Sequence, residues 1–136
     1  MTSIYLAGPL FTAAETRFNL DLAHFLTDHG YEVFLPQKEC LNRTTEEIYS
    51  LCKNGIENST VVLAIMDGAD ADSGTCWECG YAVAKGTPVI ILRTDIRASG
   101  DTRGFNAMLY YSATAVVEEN EHYEEKILDA LKKLNF

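Results

Sequence analysis

The sequence predicts an α/β fold: a single-domain, flavodoxin-like, doubly wound sheet of five mainly parallel strands in the order 2-1-3-4-5. Short apolar runs alternate with helical patterns along the chain, which is typical of right-handed βαβ crossovers in a parallel sheet. The chain has 136 residues without an internal repeat, so we expect residues 1–136 to form one domain. In this strand order the ligand crevice lies between strands 1 and 3.

Each element follows from its local pattern. Apolar runs bounded by turn residues predict strands at 4–7, 31–35, 61–66, 88–92 and 114–117. Apolar residues at helical spacing predict helices at 14–29, 44–57, 75–85 and 105–111, and from about residue 121 to the end. Polar loops are expected before Thr44, which starts a capping-box pattern with Glu47, and between residues 93 and 104.

The composition restricts the class of partner. The net charge of −9 argues against a nucleic-acid polymer or an anionic membrane, because both attract basic surfaces. It is compatible with a small neutral ligand such as a nucleoside. The start of the chain lacks the basic region of a signal peptide, and no stretch approaches the roughly 20 apolar residues of a membrane span. We therefore expect a cytoplasmic protein with its four cysteines reduced.

The stretch 67–86 is the candidate site, because it follows the third strand at the edge where open α/β sheets bind ligands. It offers Asp72 in an acidic turn and Glu78 in the first turn of a helix expected to begin near Thr75. Two carboxyl groups in different environments can divide the roles of acid and nucleophile. The helix dipole should keep Glu78 ionised at neutral pH, as a nucleophile requires. Tyr5, at the end of the first strand, could orient this carboxylate.

Structural explanations compete with this hypothesis. Thr75-x-x-Glu78 is also a capping box, in which the glutamate only bonds to the helix start. Asp67, Asp70 and Asp72 are equally typical of an ordinary turn. We accept this explanation for Asp70, whereas spacing alone does not decide between the alternatives for Asp72 and Glu78.

The cysteines allow a redox or zinc hypothesis, which we consider weaker. Cys76-x-x-Cys79 follows a strand at a helix start, as thiol redox sites do. A zinc site would need a second ligand pair, whereas Cys40 and Cys52 stand singly. Neither a dinucleotide nor a triphosphate fingerprint is present, and we expect no metal or organic cofactor.

Three motifs together resemble the nucleoside 2-deoxyribosyltransferase family. They are IYLAGPLF at 4–11, DSGTCWECGYA at 72–82 continuing to KGTPV at 85–89, and NAM at 106–108. They span most of the chain in the family's order. The resemblance implies a retaining transfer of the 2-deoxyribosyl group between nucleobases in two steps. A 2′-deoxynucleoside and a free nucleobase are the implied partners.

The resemblance also implies roles for individual residues. Glu78 would attack C1′ and form a covalent deoxyribosyl-enzyme, Asp72 would shuttle the proton of the base, and Tyr5 would position the nucleophile. Asn106 and Met108 would complete the site of a neighbouring subunit, which implies a homo-oligomer. The implied substrate-binding residues are Gly8, Phe11, Asp67, Gly74, Asn106 and Met108.

One departure from the family pattern leaves the preferred base open. The better-known bacterial members carry an aspartate near the position of Cys52, and a thiol cannot replace its hydrogen bonding. Two alternatives to transfer also stay open. One is hydrolysis of 2′-deoxynucleosides or their 5′-monophosphates, and the other is a non-catalytic nucleotide-binding module in which Glu78 only caps a helix.

Overall fold

The computed structural model describes residues 1–136 and contains one five-stranded sheet in the order β2-β1-β3-β4-β5. All neighbouring strands are parallel, so the predicted fold class and strand order are confirmed. The strands are β1 (Ser3–Ala7), β2 (Glu32–Phe34), β3 (Val61–Ile65), β4 (Val89–Arg93) and β5 (Ala115–Glu118). The helices are α1 (Ala13–Asp28), α2 (Pro36–Glu39), α3 (Thr45–Glu57), α4 (Ser73–Ala84), α5 (Ala107–Ser112) and α6 (Tyr123–Lys133).

Two hydrophobic cores cover the two faces of the sheet. Leu26 of α1 and Ile127 of α6 pack with alternate residues of the strands on one face. Ile56 of α3, Ala82 of α4 and Leu109 of α5 pack on the other face. Every residue of β3 and of β4 is buried, as expected for central strands of a parallel sheet covered on both sides. None of these helices combines the length and the apolar character of a membrane-spanning segment.

The start of α4 differs from the prediction. The helix begins at Ser73, and Asp72 is its N-cap. Asp72 Oδ2 accepts hydrogen bonds from the Thr75 amide and the Thr75 hydroxyl, both at 3.0 Å. The alternative in which Thr75 and Glu78 form a capping box is therefore wrong, because an aspartate three residues before Thr75 is the stronger cap. Glu78 lies in the second turn, where it makes no bond to the helix start.

The segment after β2 also differs from the prediction of a polar loop. It contains the short helix α2, whose first residue is Pro36. Proline suits this position because its fixed φ is helical and its missing N–H would have no partner there. The helix forms part of the wall of the cavity described below.

Candidate active site

A cavity of about 690 Å³ lies at the carboxyl ends of β1 and β3, where the predicted fold places the ligand crevice. Its volume is that of a typical small-molecule site. The β1–α1 loop, α2 with the loop that follows it, α3 and the start of α4 form its walls. Of the residues predicted for the site, it is lined by Gly8, Phe11, Asp72, Gly74 and Glu78.

Tyr5 and Glu78 form a hydrogen-bonded pair at this cavity. The Tyr5 hydroxyl donates to Glu78 Oε2, and Tyr5 itself is fully buried. The Tyr5 ring stacks on Phe34 with their centroids 5.2 Å apart. Burial and the neighbouring Glu78 carboxylate raise the pKa of Tyr5. The phenol therefore stays protonated and acts as a fixed donor to the carboxylate.

Glu78 is a carboxyl group in a largely buried environment. Burial raises the pKa of Glu78 to about 7, the hydrogen bond from Tyr5 opposes this rise, and the charge of Asp72 adds to it. The expectation that the helix dipole keeps Glu78 ionised at neutral pH therefore holds only in part, because a carboxyl group with this pKa is about half ionised at pH 7. Desolvation outweighs the dipole, which acts mainly within the first turn. A carboxyl group with a pKa near neutrality is suited to a catalytic role.

Gly55 of α3 allows the helix to lie close to the Tyr5 ring. A Cβ atom at position 55 would lie 3.0 Å from Tyr5 Cε2 and 3.0 Å from Phe34 Cζ. Aromatic rings packed between a sheet and a helix cannot move away easily. The roles of Gly55 and Phe34 were not predicted from the sequence, although a glycine inside a helical pattern is a signal of close approach.

Asp72 combines a structural role with a position at the cavity. Its Oδ2 atom caps α4, whereas Oδ1 accepts no hydrogen bond from the protein. The side chain is partly exposed and lines the same cavity as Glu78. Asp72 therefore has one oxygen that holds the helix start and one that is free to exchange a proton with a ligand.

Aromatic side chains form another part of the cavity wall. Trp77 and Tyr49 line it and meet edge to face with their centroids 5.7 Å apart. One face of Trp77 stacks on Tyr81 with their ring centroids 5.2 Å apart. Trp77 and Tyr49 are 46% and 53% exposed, so their ring surfaces are accessible to a flat ligand such as a nucleobase. Sequence patterns did not distinguish these aromatic residues from ordinary surface residues.

Besides the buried Tyr5, three residues of the predicted set do not line this cavity. Asp67 accepts hydrogen bonds from the amides of Thr94 and Asp95 at 2.7 and 3.0 Å and from the Thr94 hydroxyl at 2.5 Å. It thereby connects the loops that follow β3 and β4. Asn106 caps α5 by accepting a bond of 3.0 Å from the Leu109 amide, and Met108 is 81% exposed. The cavity is thus formed without these side chains.

Gly8 brings the β1–α1 loop close to β3. A Cβ atom at Gly8 would lie 3.1 Å from Ile65 Cβ, which is tighter than ordinary van der Waals contact. The backbone that follows β1 therefore runs directly over the end of β3, and the adjoining Phe11 is left 75% exposed at the cavity.

Solved structures with this fold include transferases and a glycosidase. A conserved protein from Enterococcus faecalis V583 is 27% identical, with 98% of this chain and 99% of that chain covered and a TM-score of 0.81. The 2-deoxyribosyltransferase of Bacillus psychrosaccharolyticus is 24% identical, with 92% and 90% covered and a TM-score of 0.75. A CMP N-glycosidase of Clostridium botulinum is 23% identical, with 99% and 100% covered and a TM-score of 0.63. At these last two identities the likeness shows the shared fold alone.

Sequence comparison gives the family. Among curated protein sequences, none is significantly similar to this chain. The family model described as nucleoside 2-deoxyribosyltransferase matches residues 4–132. This range includes β1 with Tyr5, the start of α4 with Asp72 and Glu78, and nearly all of the remaining fold. The protein belongs to the nucleoside 2-deoxyribosyltransferase family.

Proposed function

We propose that the protein transfers the 2-deoxyribosyl group between nucleobases through a covalent intermediate on Glu78. The observation that carries this proposal is the hydrogen bond from the buried Tyr5 hydroxyl to Glu78 Oε2 at a cavity with aromatic walls. The bond occupies Oε2 and leaves Oε1 as the attacking oxygen. A positioned carboxylate is the group that an oxocarbenium-like sugar centre requires.

In the first step the Glu78 carboxylate attacks C1′ of a 2′-deoxynucleoside. The C1′–N bond breaks, its electron pair goes to the leaving base, and the base takes its proton from the Oδ1 atom of Asp72. In the second step an incoming base attacks C1′ from the opposite face and gives its proton to Asp72. Glu78 then leaves as a carboxylate, which the Tyr5 hydroxyl stabilises. Two inversions at C1′ give overall retention.

The aromatic wall supports a nucleobase as the leaving and the attacking group. Trp77 and Tyr49 offer accessible ring surfaces beside the carboxyl groups, and stacking on an aromatic side chain tolerates any base. In this proposal Asp72 supplies the hydrogen bond that orients the base, while the rings bind its face.

The neighbouring subunit also enters this proposal. Met108 and Tyr111 of α5 are 81% and 78% exposed, although both are large and apolar. We expect a homo-oligomer in which Asn106 and Met108 complete the substrate-binding set of an adjacent copy. Phe11, Gly8 and Gly74 would contact the substrate within the same chain. Asp67, which accepts three hydrogen bonds from the β4–α5 loop, would act there only by holding the loop.

Hydrolysis is the second candidate, and it differs only in what resolves the intermediate. The Clostridium botulinum protein with the same fold is by name a CMP N-glycosidase, so an N-glycosidic bond is also cleaved by a protein of this architecture. In a hydrolase, water replaces the incoming base. The residues that form the intermediate would be the same.

One experiment separates the two candidates. The protein is incubated with deoxyinosine and adenine, and hypoxanthine and deoxyadenosine are quantified. Transfer gives both products in equal amounts, whereas hypoxanthine with free deoxyribose shows a hydrolase. Neither product over a panel of purine and pyrimidine bases refutes the enzymatic proposal. The Glu78→Ala variant should lose both activities, and Glu121→Ala, which removes an exposed carboxylate on another part of the surface, should retain them.

A further inference from the structure

Cys40 and Cys52 form a pair of thiols in the wall of the cavity. Their Sγ atoms lie 3.7 Å apart, and both are free cysteines. Cys40 follows α2, Cys52 lies within α3, and both line the cavity that contains Glu78. The pair therefore belongs to the site itself, although the mechanism proposed above makes no use of it.

Cys52 connects this pair to Tyr5 and Glu78. The Cys52 thiol is a neighbour of the Tyr5 hydroxyl and contributes to its raised pKa, and the same hydroxyl donates to Glu78 Oε2. The contacts thus run from Cys40 through Cys52 and Tyr5 to Glu78. A change in the position of the Cys52 sulfur acts on the group that holds the carboxylate.

The two sulfurs can be joined with little rearrangement. A disulfide bond is about 2.05 Å long, so the thiols need to approach by less than about 2 Å. Cys40 stands at the end of a helix of only four residues. The adjoining Leu41 is 68% exposed, so this segment is not held by a packed core. Movement of Cys40 towards the longer helix α3 is the simplest route to the bond.

We propose that Cys40 and Cys52 form a reversible disulfide under oxidising conditions, and that this bond reshapes the cavity and inhibits reaction at Glu78. Hydrogen peroxide is a sufficient oxidant. The Cys40 thiolate attacks one peroxide oxygen and becomes a sulfenic acid while hydroxide leaves. The Cys52 thiol then attacks the Cys40 sulfur, and the sulfenic oxygen leaves as water. Two thiols thus lose two electrons and two protons, and the peroxide becomes two molecules of water.

The order of these steps follows from the environment of the two thiols. Burial raises the pKa of Cys52 to about 12, which makes this thiol a poor first nucleophile. Cys40 follows the short helix α2 beside the exposed Leu41, and it is therefore the thiol that reacts first with the oxidant. Dithiothreitol reverses the reaction by thiol–disulfide exchange.

The disulfide affects the site in two ways. It ties the segment after α2 to α3 across one wall of the cavity, and it removes the thiol hydrogen beside the Tyr5 hydroxyl. Inhibition of sugar transfer rests on the proposed function, whereas formation of the bond does not. The two parts are therefore tested by separate measurements on the same full-length protein.

Bond formation is tested with hydrogen peroxide at one equivalent, followed by thiol titration, intact mass and peptide mapping. Free thiols should fall from the four of the sequence to two, the mass should fall by about 2 Da, and a Cys40–Cys52 linked peptide should appear. The Cys76→Ser/Cys79→Ser double variant should form the same link, and Cys40→Ser should not. Four persistent thiols, or a link between Cys76 and Cys79, would overturn the proposal.

The effect on the site is tested by dividing the activity of each oxidised variant by the activity of the same variant after reduction. We expect oxidation to lower the activity of the Cys76→Ser/Cys79→Ser variant at least tenfold, and we expect the ratio to be near one for Cys40→Ser. Trp77 is the only tryptophan and lines the cavity, so its emission should change on oxidation even without turnover. A linked protein with unchanged emission and an unchanged activity ratio would refute the reshaping. Inactivity of the reduced protein would refute the proposed function alone.

Discussion

Replacement of Glu78 by glutamine provides a test of its environment that does not depend on substrate. Burial raises the pKa of this carboxyl group from 4.5 to about 7. Between these two pH values the folded state therefore binds more protons at Glu78 than the unfolded state does. The contribution of Glu78 to the free energy of unfolding must then decrease as the pH rises through this window. Glutamine keeps the shape and an oxygen that accepts from Tyr5, but it has no charge to bury.

The magnitude follows from the size of the pKa shift. A rise from 4.5 to about 7 corresponds to about 3 kcal/mol. Glu78→Gln should therefore gain about 3 kcal/mol relative to the wild type between pH 4 and pH 8. In thermal unfolding this is a relative gain of roughly 10 °C for a domain of this size. The same variant should lack glycosyl transfer.

The assay is urea unfolding of both proteins at several pH values from 4 to 8.5, with their difference in free energy plotted against pH. Other titrating groups are shared and cancel in this difference. Glu121→Gln, at an exposed carboxylate, is the control and should show no trend. If the difference in free energy of unfolding between Glu78→Gln and the wild type stays constant across this pH range, ionisation of Glu78 does not destabilise the folded protein. That result would refute the raised pKa of Glu78.

Three further predictions concern the groups around this carboxylate. Tyr5→Phe removes a hydrogen bond that lowers the pKa of Glu78, so the acid limb of the pH–activity profile should move upward from about 7 by about one unit or more. Asp72→Asn should retain the helix cap but lose activity, and Asp72→Ala should in addition lose about 1 kcal/mol of stability in urea unfolding. Equal stability of the two Asp72 variants would contradict the capping role. Gly55→Ala should lower the melting temperature and the activity because of the ring contacts at 3.0 Å, a clash that outweighs a helix-propensity gain of about 1 kcal/mol. Gly80→Ala, whose Cβ would meet nothing within 4 Å, is its control and should be stabilised.

Much of the fold follows from local patterns that can be read along the chain. The apolar runs of β3 and β4 are continuous because both faces of these strands are buried, and this continuity distinguishes them from exposed antiparallel strands. Alternation with helical periodicity then limits the topology, since crossovers are right-handed. The short helix α2 escaped prediction because four residues offer no periodicity, and β2 is only three residues long.

The candidate site was predictable where it depends on strand ends and less so where it depends on side-chain contacts. Tyr5 and Glu78 follow from the order of the strands, because the carboxyl ends of β1 and β3 meet at one edge of the sheet. The cap of α4 was misassigned because Asp72 and Thr75 are both good N-cap residues, and the sequence does not show where the backbone turns. The aromatic wall formed by Trp77 and Tyr49 depends on contact between two helices.

By itself, the sequence determined the fold class, the strand order, the family resemblance and the choice of Glu78 and Asp72, since each depends on periodicity or on short motifs. Tertiary structure alone decided three properties. Burial beside Tyr5 sets the pKa of Glu78, the absent Cβ of Gly55 lets α3 reach the Tyr5 ring, and the thiols of Cys40 and Cys52, 12 residues apart, meet in the cavity wall. These properties depend on distances between elements that are remote in sequence. Desolvation, close packing and thiol proximity arise only when the chain has folded.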